Sequence, residues 1–222
     1  ELSRSDWSKI LVLVALLPVM ALSELGNQQI YNTYLVWGDA QYARTFFGFE
    51  APVTWLLSVD AFIALSMILL VVAFWRMWSR THREPDEIVK LAIGAAISAV
   101  APLLLVLGSL QAAAGGHKVS LAWGLGFHLV NSVGYALLFP VGLALYSRAS
   151  PRAITGLMIG VFYLHLFLAN MTVGRLGGLL ETLGDVPFWL LHSGLMAAGC
   201  AFLVLFAVAF RPILAPTTEA RE

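Results

Sequence analysis

Six apolar runs, each of about 20 residues or more, are the feature that most limits what this chain of 222 residues can fold into. An α-helix of about 20 residues crosses the ~30 Å of hydrocarbon in a bilayer. Charged residues make up only 12% of the chain, and the connections are too short for a soluble domain. We therefore predict an all-α polytopic membrane protein in which residues 1–222 form a single six-helix transmembrane domain. The runs are residues 8–37, 52–78, 88–113, 119–147, 153–181 and 187–211.

The lysine and arginine residues predict how this domain lies in the membrane. If the amino terminus is cytoplasmic, ten of them lie on the inner side, and only Arg44 and Lys118 lie on the outer side. Cytoplasmic segments of membrane proteins are enriched in Lys and Arg, so we predict that both termini face the cytoplasm. The inner residues are Arg4, Lys9, Arg76, Arg80, Arg83, Lys90, Arg148, Arg152, Arg211 and Arg221.

The first run carries a polar stripe. Glu24, Asn27, Gln28 and Tyr31 follow the spacing i, i+3, i+4, i+7, which places them on one face of a helix. Glu24 falls near the middle of the bilayer, where a charge costs roughly 3 kcal/mol on insertion scales. Such a residue usually faces the bundle interior or an aqueous cavity. We interpret Glu24 as a carboxyl group that gains and loses a proton in a transport pathway. The alternative is a buried, protonated glutamate that bonds to a neighbour.

The six runs differ in polarity, and the differences repeat. The third and sixth are apolar nearly all round, as expected of lipid-facing helices, whereas the others carry polar residues. The order polar, mixed, apolar occurs twice, which predicts two three-helix repeats over about residues 8–113 and 119–211, as in secondary transporters. The polar or stripe-forming residues of the second, fourth and fifth runs are Asp60; His128, Asn131, Ser132, Tyr135 and Phe139; and His165, Asn170 and Arg175.

Charge and motifs argue against several other classes of protein. The formal net charge is zero, so nothing points to nucleic acid as a partner, and the single Cys200 cannot form an internal disulfide. No spacing typical of a catalytic triad, a metal site or a phosphate loop is present, so we predict neither an enzyme nor a metal site. A haem-binding electron carrier, or another six-helix membrane protein without transport activity, stays open as an alternative. His128, His165 and His192 lie in or near the runs, and paired histidines can ligate haem.

Residues 136–160 resemble the tenth and eleventh helices of the proton-dependent oligopeptide transporters, the POT or PTR family of the major facilitator superfamily. That family has a Ser-Pro-Val-Gly-Leu core, a short cytoplasmic turn and Gly-Leu-Met-x-Gly. Here Pro-Val-Gly-Leu stands at 140–143 and Gly-Leu-Met-Ile-Gly at 156–160. Leu-Ala-Asn at 168–170 and the segment 85–90 also look like the family. The resemblance covers the whole chain but only the C-terminal six-helix half of the family. We therefore expect a chain cut from a longer one, without its N-terminal half.

The resemblance implies roles for four residues. Glu24 is similar to the seventh-helix glutamate that the family uses in proton coupling. Asp60 lies where the family has an asparagine that helps to bind the peptide. Tyr135 lies where peptide-transporting members have a glutamate that holds the peptide's amino terminus, and Phe139 replaces a serine. Without that glutamate, an α-ammonium group loses its charge partner. Either Asp60 substitutes for it, or the substrate is not a classical peptide.

We therefore expect half of a symporter that couples protons, with no other cofactor, to the uptake of di- or tripeptides or similar small polar solutes by alternating access. Its partners would be the solute, the lipid bilayer of a bacterial inner or plasma membrane, and the N-terminal half of the same transporter. Glu24 should face a water-filled cleft. Arg175 should either form an ion pair with Asp60 or reach outward to the external rim. The residues expected to line the cavity are Asn27, Gln28, Tyr31, Trp55, Asp60, Asn131, Tyr135 and Phe139.

Overall fold

The computed structural model describes residues 2–214 of the chain. Six of its helical segments are long and apolar enough to cross a membrane, so the prediction of an all-α protein with six spans is confirmed. The spans are Arg4–Ser23, Trp55–Trp78, Glu87–Gly115, Leu121–Ala149, Arg152–Gly177 and Asp185–Phe210.

The apolar run 8–37 does not form the continuous helix that it predicts. The chain there forms three helices, α1 (Arg4–Ser23), α2 (Leu25–Gln29) and α3 (Thr33–Gln41), which together we call the first span. The first break falls at Glu24, whose backbone dihedrals are φ −105° and ψ 8°. The polar stripe of the sequence therefore starts at a helix break rather than lying on one uninterrupted face.

The second break lies between α2 and α3, and polar side chains bond to backbone groups on either side of it. The side-chain amide of Asn32 donates to the Gln28 carbonyl at 2.9 Å, and the backbone N–H of Thr33 donates to Oε1 of Gln29 at 3.2 Å. Inside a membrane, where water is excluded, a broken helix is tolerated only when such partners are present. The amides of this segment thus allow the chain to depart from a regular helix.

Two short strand pairs lie at the end of the bundle opposite the chain termini, which we call the hairpin end. Strand β1 (Tyr42–Ala43) pairs in parallel with β4 (Val119–Ser120), and β2 (Thr45–Phe46) pairs antiparallel with β3 (Phe49–Glu50). The remaining helices are α4 (Trp55–Trp78), α5 (Glu87–Gly115), α6 (Leu121–Ala149), a 3₁₀ turn (Arg152–Ile154), α7 (Thr155–Phe162), α8 (Leu164–Gly177), α9 (Leu180–Leu183) and α10 (Asp185–Leu214).

Helix α5 is packed between α6 and α10. Over the most apolar 18 residues of α5, 56% of the residues are buried, against 11% over the corresponding stretch of α4. The expectation that the third run faces lipid is therefore wrong for much of its surface. Small residues explain the close packing, because a Cβ added at Gly134 of α6 would lie 2.0 Å from the Ser98 hydroxyl of α5. In a membrane, packing of this kind rather than polarity brings helices together.

The other contacts decide which polar residues can meet. Helix α4 packs against α6, whereas α1 and α2 pack against α8 and α10. At the hairpin end, an aromatic cluster holds the first span against α6 and α10. Its members include Tyr34, Trp37, Phe127 and Trp189, with ring centroids 5.2 Å apart for Tyr34 and Phe127 and 5.3 Å apart for Trp37 and Trp189.

Candidate proton and solute site

Glu24 is buried beside a histidine. Its side chain is only 1% exposed, and its Oε2 lies 3.3 Å from Nε2 of His165, which is itself fully buried. Among the described residues, neither carboxylate oxygen has a hydrogen-bond partner, and neither does Nε2 of His165. The other ring nitrogen, Nδ1, is hydrogen-bonded to the backbone carbonyl of Phe162. An acid and a base therefore face each other in a site without water contact.

Helix breaks place both groups. Glu24 stands between α1 and α2, and its backbone N–H is bonded to the carbonyls of Met20 and Ala21. His165 lies one residue inside α8, just after the interruption at Tyr163 that separates α8 from α7. Interrupted helices are common at the ion and substrate sites of secondary transporters. The structure thus brings two such interruptions together, one from the first span and one from the fifth.

A second carboxylate–histidine pair joins the second and fourth spans. Oδ1 of Asp60 lies 2.7 Å from Nδ1 of His128, and both side chains are buried. The Tyr31 hydroxyl donates to the other Asp60 oxygen over 3.5 Å. Nε2 of His128 is 3.0 Å from the Tyr34 hydroxyl, which is 3.1 Å from the Tyr42 hydroxyl. These contacts form a chain of hydrogen bonds from the exposed Tyr31 to the buried Tyr42 at the hairpin end.

Two pairs of amide side chains tie the first span to its neighbours. Nδ2 of Asn131 donates to Oδ1 of Asn27 at 3.1 Å, and Nδ2 of Asn170 donates to Oε1 of Gln28 at 2.9 Å. Asn131 keeps one buried oxygen without a partner among the described residues. The structure thus brings together the predicted residues Asn27 and Asn131, and places Gln28 against a residue of the fifth span.

Tyr135 and Phe139 lie between the two carboxylate–histidine pairs. Their rings stack with centroids 5.5 Å apart, and the Phe139 ring lies 6.2 Å from the imidazole of His165. Tyr135 interacts electrostatically with both Glu24 and Asp60. The stacked pair thus borders the histidine partner of Glu24.

The expected ion pair between Asp60 and Arg175 is wrong. Both Asp60 oxygens are engaged by His128 and Tyr31, and Arg175 is exposed without an ion pair to any described residue. The two residues lie on helices that pack against different neighbours, since α4 contacts α6 while α8 contacts α1 and α2. The exposure of Arg175 agrees with the alternative that it points away from the bundle.

Two further expectations need correction. Glu24 does not open to a water-filled cleft in this conformation, because α2 packs on α8 and Phe139 and Phe162 lie around its partner histidine. Trp55 lies apart from the other predicted residues. It is 57% exposed and packs beside Phe49 of the hairpin, with ring centroids 5.8 Å apart.

The sequence reasoning missed the histidines as partners of the two acids. The available signal was that a carboxyl group inside a membrane needs a partner, and that His128, His165 and His192 lie in the apolar runs. Each of the three buried histidines contacts a polar side chain of another span rather than another histidine, as His192 does with Gln29 at 2.9 Å. This arrangement offers no facing pair of imidazoles, which the haem alternative required. No group of three or more potential metal ligands occurs within residues 2–214.

One family model covers most of the chain, since that of the POT family matches residues 6–185. The chain belongs to the POT family. The resemblance noted at residues 136–160 is thereby confirmed.

The chain is also similar to curated peptide transporters. The peptide transporter YePEPT of Yersinia enterocolitica subsp. palearctica is 26% identical over 221 residues, which cover 96% of this chain and 43% of the relative. A di-/tripeptide transporter of Lactococcus lactis subsp. cremoris is 27% identical over 143 residues, 62% of this chain and 28% of the relative. The chain thus spans less than half the length of these curated relatives.

Solved POT structures share the fold. A peptide transporter POT in complex with sulfate matches with a TM-score of 0.84 at 15% identity, over 95% of this chain and 42% of that one. A POT family transporter in complex with 5-aminolevulinic acid matches with a TM-score of 0.76 at 18% identity, over 96% and 42%. At these identities the similarity concerns the fold alone.

Proposed function

We propose that this chain is the C-terminal six-helix half of a proton-coupled symporter for di- or tripeptides or similar small polar solutes. Membership of the POT family supports this, as do the names of the relatives from Yersinia and Lactococcus. The half would consist of two three-helix repeats and would rock against the N-terminal half of the same transporter. Both termini would lie in the cytoplasm of a bacterial cell, and the protein would act as a transporter rather than as an enzyme.

The observation that carries this proposal is the burial of Glu24 at a helix break. A carboxylate taken out of water is costly unless it is protonated or paired. In the closed conformation described here, Glu24 would therefore be held neutral, or balanced by His165. In a conformation open to water, it would release its proton. Protonation would thus be tied to the change of conformation, and no cofactor other than protons would be needed.

The solute would bind along the wall formed by the first and fourth spans. Tyr31 and Tyr135 offer hydroxyl groups, and the amides of Asn27, Gln28 and Asn131 match the N–H and C=O groups of a peptide backbone. Phe139 would contact apolar parts of the solute.

Asp60 would contact the ammonium group of a peptide only after giving up a bond to Tyr31 or His128. Binding of a zwitterionic peptide would therefore require the contacts of Asp60 to rearrange. A solute without an ammonium group would not require one.

The test compares proton-driven accumulation with solute exchange, using Glu24→Gln in the full-length transporter reconstituted into liposomes. Accumulation driven by a pH gradient should be lost, because the amide cannot release a proton. Exchange of labelled for unlabelled dipeptide at equal pH should continue, because it needs no net proton movement. Glu181→Gln, at an exposed acid of α9, is the control and should leave both activities unchanged. An unaltered pH dependence in the Glu24 variant would refute the coupling role.

A further inference from the structure

Glu24 and His165 are in contact, and each can bind the proton whose movement would drive transport. We infer that this proton is held by the pair of side chains, so that His165 takes part in coupling and is not merely a neighbour. The inference rests on the proposed function, since it specifies how the Glu24 site would bind and release its proton.

The tautomer of His165 is decided by the backbone. Nδ1 contacts the Phe162 carbonyl, which can only accept a hydrogen bond, so Nδ1 must carry a hydrogen. A neutral imidazole then has its lone pair on Nε2, and Nε2 is the atom that faces Glu24 at 3.3 Å. A carboxylate facing this lone pair would be repelled, so a single proton must lie between the two groups.

That proton has two possible positions, and both leave the pair without net charge. It lies on the Glu24 carboxyl group beside a neutral imidazole, or on Nε2 of an imidazolium beside the Glu24 carboxylate. Moving it between Oε2 and Nε2 forms one bond to hydrogen and breaks another, with no other reactant. Loss of the proton to water leaves the pair with a charge of minus one. An isolated buried charge is much more costly than a neutral pair, so release must accompany opening of the site to water.

The surroundings leave few other groups that could take over this proton. The rings of Phe139 and Phe162 lie next to the imidazole, at 6.2 and 4.4 Å between centroids. From α6, the titratable side chain that interacts with Glu24 is Tyr135, which in turn interacts with Tyr163, Tyr31 and Asp60.

The titratable side chain that α10 carries beside Gly199 is Cys200, and its thiol donates to the Ala92 carbonyl of α5 at 3.5 Å. There Gly199 lies against Ser23, so closely that an added Cβ would be 2.8 Å from the serine hydroxyl. The nearest proton acceptor for Glu24 within residues 2–214 is therefore His165.

The test is His165→Gln in the full-length transporter, studied with the same two assays. The introduced amide can still donate a hydrogen bond to Glu24, but it cannot take up a proton. Glu24 should then stay protonated, so exchange of labelled dipeptide should continue while accumulation driven by a pH gradient should fall about tenfold or more.

His192→Gln is the matched control. His192 is also fully buried, and its Nε2 lies 2.9 Å from an amide nitrogen of Gln29 instead of a carboxylate. The same substitution there should keep the wild-type ratio of accumulation to exchange. If His165→Gln and His192→Gln lower the ratio of accumulation to exchange equally, the effect is one of packing and the inference is overturned.

The outcomes separate the inference from the proposed function. If Glu24→Gln abolishes accumulation while His165→Gln keeps the wild-type ratio, Glu24 couples alone and the pair is refuted. If Glu24→Gln also keeps that ratio, the proposed coupling role itself fails.

Infrared difference spectra of the unmodified transporter decide the matter if His165→Gln does not reach the membrane. Raising the pH should remove a carboxylic-acid band that is missing in Glu24→Gln. Bands of isotope-labelled histidine should change over the same pH interval. A Glu24 band that titrates without a histidine change, or the lack of any such band, would overturn the inference.

Discussion

The two carboxylate–histidine pairs of this bundle are alike in composition and different in their surroundings. Asp60 and His128 lie 2.7 Å apart, and each has a second partner, in Tyr31 and Tyr34 respectively. Glu24 and its histidine lie 3.3 Å apart, and neither oxygen of Glu24 has a hydrogen bond to a described residue. We call Asp60 and His128 the completed pair, because every side-chain oxygen and nitrogen of the two residues has a partner. In the second pair, the oxygens of Glu24 and Nε2 of His165 remain free to bind a proton. One buried acid in a bundle can therefore stabilise the fold while another binds a proton.

The positions of the two pairs along the chain are also related. Glu24 of the first span meets His165 of the fifth, and Asp60 of the second span meets His128 of the fourth. If the bundle consists of two three-helix repeats, each pair joins the first helix of one repeat to the second helix of the other. The repeats themselves stay a prediction, and this reciprocal arrangement is what they would produce.

The largest expected effect is on the completed pair. Asp60→Ala would leave His128 buried without its acid and should lower the free energy of unfolding by about 3 kcal/mol or more. Unfolding of the full-length transporter by sodium dodecyl sulfate in detergent micelles measures this change. Glu181→Ala, at an exposed acid, serves as control and should have little effect. A loss below about 1 kcal/mol would mean that this pair does not stabilise the bundle.

A smaller effect is expected one bond further along the same network. Tyr34→Phe removes the hydroxyl that contacts both His128 and Tyr42, and should cost about 1–3 kcal/mol because buried polar atoms lose their partner. Tyr31→Phe is the matched control. That tyrosine is 56% exposed and its bond to Asp60 is long, so its loss should cost no more than about 0.5 kcal/mol. Equal losses in the two variants would contradict a network that depends on burial.

The smallest effect on stability is expected at the other pair. Glu24→Gln should change the free energy of unfolding by no more than about 1 kcal/mol, because the neutral amide can donate to Nε2 of His165 and removes an ionisable group from a buried site. The same titration in detergent measures it, alongside the transport assays in which this variant should lose proton-driven accumulation. A loss as large as that of Asp60→Ala would erase the distinction between the pairs.

The sequence reasoning succeeded where one physical property decides the outcome. The length and polarity of the runs predicted six spans, because a bilayer requires about 20 apolar residues for a helix that crosses it. It failed where two helices must be related to each other. Helical spacing shows which residues share a face, but not which neighbour that face meets. The sequence therefore allowed an ion pair of Asp60 with Arg175 as one of two alternatives and did not indicate His128 as the partner of Asp60.

By itself, the sequence determined the class of fold, the number of spans, the family and the presence of an acid inside the first span. The breaks at Glu24 and near Asn32, the packing of α5 between α6 and α10 and the choice of a histidine for each acid were decided only by the tertiary structure. The physical reason is that lipid and protein interiors are similarly apolar. Hydropathy therefore places a helix in the membrane without placing it in the bundle, and the packing of small residues and paired polar groups completes the arrangement.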